Sequence, residues 1–331
     1  MHYKLFNDNN IYNLNNINHL ETLNNKHNIQ ILNFNNSQLT QLPDLPINLT
    51  ELYCIDNKLT QLPQLPDKLE YLYCIYNQLT QLQHLPCKLI DLECNNNQLT
   101  QLPLLPNNLK LLYCFNNQLT QLPQLPDKLE YLYCNYNKLT QLPKLPDNLK
   151  LLYCNNNKLT QLPTLPSNLI ELDCYHNKLT ELPQLPNNLE TLYCHNNKLT
   201  LLPQLPDSLK TLNCSNNKLN QLHQLPINLY FLICYSNLLT QLPKLPSNLY
   251  SLYCDNNKLI QLPELPKNLQ NISIDNNKKN LIKYIINCKS LYFYKKYNKY
   301  KYIYTLNDLL NYTIKKYYYI YIIKYYDKYN I

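Results

Sequence analysis

Apolar positions set the reading of this chain. Around residue 52 they fall at Leu49, Leu52, Cys54 and Leu59, with Asn57 held between them. Leu52 and Cys54 alternate with Glu51, Tyr53 and Ile55, the two-residue period of a short strand that buries one face. The pattern then returns at a constant interval. Cysteine recurs at 54, 74, 94, 114, 134, 154, 174, 194, 214, 234 and 254, and asparagine at 57, 77, 97 and onward to 277. All 22 prolines lie in the same array, paired as Pro43/Pro46 or Pro63/Pro66, with Gln83 and His223 each replacing one member of a pair. A degenerate unit (Ile29, Leu32, Phe34, Ser37, Leu39) precedes the eleven cysteine units, and another (Leu269, Ile272, Ile274, Asn277, Lys279) follows them. Ragged ends suit a stack in which a terminal coil has one neighbour only.

Each position has a physical task. The strands of successive units predict a parallel sheet at a spacing of about 4.8 Å, with leucine and cysteine inward. The asparagine both donates and accepts, so it can satisfy backbone groups where the chain turns out of the strand. The return segment Leu59-Thr60-Gln61-Leu62-Pro63-Gln64-Leu65-Pro66 carries two prolines three apart, which excludes a helix interior and favours extended polyproline-II geometry. The predicted architecture is a solenoid of about 13 units, with a parallel sheet on the concave face and an extended, polyproline-II convex face. It divides the chain into an N-terminal flank or cap (1–28), the solenoid (29–279) and a tail rich in tyrosine and lysine (280–331).

The unit L-x-x-L-x-C-x-x-N-x-L resembles the leucine-rich-repeat signature. The fuller form LPxLPxxLxxLxCxxNxLTQ is similar to the short repeats of bacterial type III secreted effectors. The resemblance implies a non-enzymatic scaffold that binds another protein along its concave face. Some bacterial members add a ubiquitin ligase with a Cys-x-Asp motif. Here Cys288-Lys289-Ser290 lacks the aspartate, and ligase activity does not carry over. Some viral repeat proteins begin with an F-box, and residues 1–28 show no such pattern.

Composition refines this picture. The chain of 331 residues lacks glycine and tryptophan, and Asn, Leu, Tyr, Lys and Ile dominate it. That bias implies an AT-rich genome and resembles the composition of giant amoeba-infecting DNA viruses. The net charge of +8 belongs to the tail. Positions 278–331 hold twelve lysines against Asp308 and Asp327, net +10, while positions 1–277 hold 18 lysines against 20 acids, net −2. No secretory signal or membrane span is read in the sequence, so the thirteen cysteines are expected reduced, in a cytoplasmic setting that would be the host's if the protein is viral. The cysteine ladder is read as core, since a free thiol packs as a small hydrophobe, and no metal site or cofactor is expected.

Candidate function falls on the outward strand positions. Tyr53, Tyr73, Tyr113, Tyr133, Tyr153, Tyr193 and Tyr253 would form a stripe suited to a protein partner, because tyrosine offers large area with little rotamer freedom to lose. The same stripe would also stabilise the sheet by ring stacking, and the two roles are compatible. Glu171, Asp173, His176 and His195 are expected close together as a polar contact patch within it. In the tail, Asp308 would cap a helix through Tyr321, whereas 317–323 has strand propensity. Part of the tail would cover the last coil. Its lysines would alternatively meet an anionic membrane surface or nucleic acid, the latter disfavoured by the absence of arginine.

Overall fold

A computed structural model describes residues 1–5, 12–13, 20, 23–274 and 277. The chain forms two compact units, Met1–Asn197 and Lys198–Ile331. The tail expectations (helix, strand, cap and basic surface) lie outside the described residues.

In the first unit, β3 (Ile29–Asn33) is followed by β4 (Glu51–Tyr53), β5 (Tyr71–Tyr73), β6 (Asp91–Glu93), β7 (Leu111–Tyr113), β8 (Tyr131–Tyr133), β9 (Leu151–Tyr153), β10 (Glu171–Asp173) and β11 (Thr191–Tyr193). Each pairs in parallel with its counterpart in the next repeat, as Leu132 does with Leu152, so equivalent positions lie side by side. The N-terminal flank adds β1 (His2–Leu5), antiparallel to β3, and β2 (Tyr12–Asn13), antiparallel to β1. It thus pairs the edge that β3 would otherwise leave open. In the second unit, β12 (Thr211–Asn213), β13 (Phe231–Ile233), β14 (Ser251–Tyr253) and β15 (Asn271–Ser273) keep the same parallel register.

Each coil buries one small core. In the coil that begins at Leu59, residues Leu59, Leu62, Leu65, Leu69, Leu72 and Cys74 are all buried. The eleven ladder thiols are buried and free, and burial pushes Cys74, Cys134 and Cys214 up to about 12. Identical thiols stacked in a dry core stay neutral and unreactive. No helix occurs between residues 29 and 274. The return segments carry neither helix nor strand, and each is closed by a turn in which the leucine N–H donates to the proline carbonyl three residues earlier, as Leu69 does to Pro66 at 3.0 Å.

Asparagine joins coil to coil. Asn157 Nδ2 donates to the carbonyls of Cys134, Cys154 and Asn155 at 3.0, 3.1 and 3.2 Å, and Oδ1 accepts from Leu139 N–H at 2.9 Å. Asn77, Asn117 and Asn137 repeat the pattern. The residue before each of these asparagines takes a left-handed backbone, with φ of 49° to 56° from Asp56 to Asn256. With no glycine in the chain, asparagine fills most of these sites, the residue type that tolerates the conformation best after glycine.

Candidate functional site on the outward face of the sheet

Each three-residue strand from β4 to β14 buries its middle residue, and the residues on either side of it alternate to the opposite face. The second outward position from β4 to β11 reads Tyr53, Tyr73, Glu93, Tyr113, Tyr133, Tyr153, Asp173 and Tyr193, adjacent in register. The rings stack. Centroids lie 4.7 Å apart for Tyr53 and Tyr73, 4.1 Å for Tyr113 and Tyr133, and 4.6 Å for Tyr133 and Tyr153, with interplanar angles of 6° to 19°. Strand spacing and ring-stacking distance nearly coincide, so in-register tyrosines turn their faces to one another. These tyrosines are therefore half-buried, and inside each stack they present edges and hydroxyls outward. Several hydroxyl protons are already committed: Tyr53 donates to Glu51 at 2.8 Å, Tyr73 to Asp91 at 3.1 Å and Tyr153 to Glu171 at 2.6 Å.

Two carboxylate pairs interrupt the stripe. Asp91 and Glu93 occupy both outward positions of β6, and Glu171 and Asp173 both of β10. The arrangements match: the tyrosine of the preceding strand donates to the first acid, and the second acid sits in the tyrosine stripe. Asp173 is only 7% exposed, accepts from the Tyr175 N–H, and leaves Oδ1 without a donor. Burial, reinforced by Glu171, raises its pKa to about 7. Burial and the neighbouring Asp91 likewise raise Glu93 to about 7. Asp91 Oδ1 and the buried Asn155 Oδ1 also lack donors. No outward strand position from β3 to β11 carries a lysine. Lys150, just ahead of β9, is held by Glu130 at 2.6 Å.

His176 and His195 gather around Tyr175. His195 stacks on the Tyr175 ring at 4.3 Å, and His176 meets that ring edge-on at 5.4 Å. His176 is not on the strand. It occupies a left-handed turn position (φ 49°), and its Nε2 lies 3.1 Å from Asn196 Nδ2. Burial, with His176 nearby, lowers the pKa of His195 to about 4. Glu171 and Asp173 share a strand beside Tyr153. Among the described residues, no group of three His, Cys, Asp or Glu side chains could hold a metal ion. Tyr253 lies in the second unit, half-buried on β14 between Ile233 and Ser273.

The sequence alternation runs outward through Ile55, but sequence reading marks only His195 of that third row, which also holds Asn135, Asn155 and Tyr175, as a candidate contact. The signal was present, since the alternation through Glu51 and Tyr53 continues to the residue after each cysteine.

The family model described as "Leucine Rich repeats (2 copies)" matches residues 167–207. Among solved structures, the chain is similar to YopM from Yersinia enterocolitica WA-314 (38% identity, 73% of this chain and 58% of that one, TM-score 0.66). It is also similar to YopM of Yersinia pestis, described as a leucine-rich effector protein (39% identity, 75% of this chain and 78% of that one, TM-score 0.67). The functional domain of InlJ from Listeria monocytogenes, described as including a cysteine ladder, matches at 28% identity over 76% of this chain and 54% of that one, with a TM-score of 0.57. The chain thus spans 58% of the Y. enterocolitica YopM chain. No curated protein matches the sequence. With this repeat, this fold and these relatives, the chain belongs to the leucine-rich-repeat proteins, and its short repeats resemble those of bacterial effectors.

Proposed function

We propose that the protein is a non-enzymatic scaffold that binds a partner protein along the tyrosine-lined outward face of its sheet, the side read from sequence as concave. The observation that carries the reading is the stacked row Tyr113, Tyr133 and Tyr153, fixed in register by three paired strands. Rings held this way have already lost their rotamer freedom, so docking on them sacrifices little further entropy. The resemblance to bacterial effectors supports a partner in a host cell, and the AT-rich composition supports a viral source acting in host cytoplasm. No helix among the described residues is long and apolar enough to cross a membrane.

The test is capture of host proteins by the full chain and by a variant carrying Tyr113→Ala, Tyr133→Ala and Tyr153→Ala, with folding verified by circular dichroism. The reading expects specific partners to be lost from the variant. Identical capture by both proteins would remove it. A second reading, membrane or nucleic-acid contact through the basic tail, rests on the twelve lysines after residue 277. It predicts that deleting 280–331 abolishes salt-sensitive binding to anionic vesicles or RNA.

A further inference from the structure

From β3 to β11 the outward strand positions are rich in carboxylates and carry no basic residue. They hold five acids, Glu51, Asp91, Glu93, Glu171 and Asp173. The hydroxyl protons of Tyr53, Tyr73 and Tyr153 are spent on three of those acids. Asp91, Asp173, Asn135 and Asn155 each leave a buried oxygen without a donor. A buried acceptor without a donor carries an unfavourable desolvation energy, which an arriving N–H group relieves.

We propose that the two carboxylate pairs, Asp91/Glu93 and Glu171/Asp173, are sockets for two guanidinium groups of one extended, arginine-bearing segment of the partner. This deepens the scaffold reading above and rests on it. The stripe places a tyrosine on each side of each socket: Tyr73 and Tyr113 flank Glu93, and Tyr153 and Tyr193 flank Asp173. A planar guanidinium stacks on aromatic faces and pairs with carboxylates, so it can take the place of the missing ring while its N–H groups reach the acids. In the free protein the second socket is closed, since Asp173 is 7% exposed and Asn155 2% exposed. A guanidinium therefore docks at the more exposed Glu171, beside the Tyr153 hydroxyl that donates to it at 2.6 Å, with the Tyr153 ring left in its stack. Among the described residues no three-ligand metal group competes for these acids.

The spacing defines the ligand. The sockets lie four strands apart, about 19 Å at ordinary sheet spacing, and an extended peptide covers that in about six residues. The probe is a fluorescent serine/threonine peptide with two arginines about six residues apart, titrated into the full chain by anisotropy. Controls are the same peptide with citrulline for arginine, and one with the arginines about three residues apart.

The expected result is binding about tenfold tighter than either control, weakened about tenfold by Asp173→Asn and by Glu93→Gln. Thermal unfolding confirms that both variants are folded. Equal binding of the citrulline peptide, or affinity untouched by both substitutions, overturns the proposal. So does calcium alone saturating the same carboxylates. If the peptides fail while the Tyr113/Tyr133/Tyr153 variant still loses its protein partner, the face remains a docking surface and only its preference for cations falls.

Discussion

A single asparagine shows how closely this fold is specified. Asn157 satisfies one N–H and three carbonyls across two coils. Asn157→Leu keeps the volume and strands all four groups, so it should lower stability by about 3 kcal/mol, read from the urea midpoint. A loss well below about 1 kcal/mol would show that water replaces the side chain. Asp173 works in the opposite direction. Its folded pKa lies above its ordinary value, so the folded state binds the extra proton. That contribution is favourable in acid and is lost as pH rises from 3.8 to about 7. Glu93 behaves alike from 4.5 to about 7, whereas His195, lowered to about 4, loses stability as pH falls from 6.5. Tyr153, Tyr175, Tyr193 and Glu171 surround Asp173 and none supplies a cation. Asp173→Asn should therefore stabilise the protein by about 2 kcal/mol at about pH 8 and by almost nothing at about pH 4. A gain independent of pH would rule out the carboxylate as its source. The sequence made the asparagine's task legible because its spacing never varies. It did not reveal that Asp173 is buried, because burial follows from neighbouring rings that are distant along the chain.

At the scale of elements, short strands and helix-free returns followed directly from the alternation and the prolines. The turn between them did not, since a left-handed position has no hydrophobic signature. Most such positions are asparagine, but Tyr76 and Tyr136 also take φ values of 53° and 50°. A bulky residue there is strained. Tyr76→Asn should raise stability by about 0.5–1 kcal/mol, measured by thermal or urea unfolding, and destabilisation would mean that the exposed Tyr76 ring makes a contact worth more than the strain. The cysteine ladder gives a second prediction. Among the twelve described cysteines, Cys87 is exposed and should react with Ellman's reagent in the native protein, while the eleven ladder thiols should react only after unfolding. Rapid native labelling of several thiols would contradict a dry column. The antiparallel strand β1 escaped the sequence reading because its partner β3 is distant along the chain and the segment carries no repeat motif.

At the scale of the molecule, each coil in the first unit meets its neighbours through the same parallel register, the same leucines and the same asparagine. Stability in such an array approximates a sum over coils and their junctions. Deleting 121–140 removes one repeat in phase and joins Thr120 to Gln141, restoring the repeated sequence. The shortened protein should fold with a lower denaturant midpoint, and in the peptide assay its preferred separation between arginines should fall from about six residues to about four. Collapse of the fold would contradict the modular picture, and an unchanged preference would contradict the two-socket geometry.

The uniform length of the coil also bears on heredity. DNA encoding near-identical segments recombines out of register, and each exchange adds or drops a whole coil without disturbing the rest. Buried positions are interchangeable from coil to coil, so such events are structurally quiet. The outward residues vary from coil to coil, and on the two-socket reading the number of coils between the two carboxylate pairs acts as a ruler. On that reading, a lineage carrying this gene changes the arginine spacing it selects by altering length alone, with no new side chain.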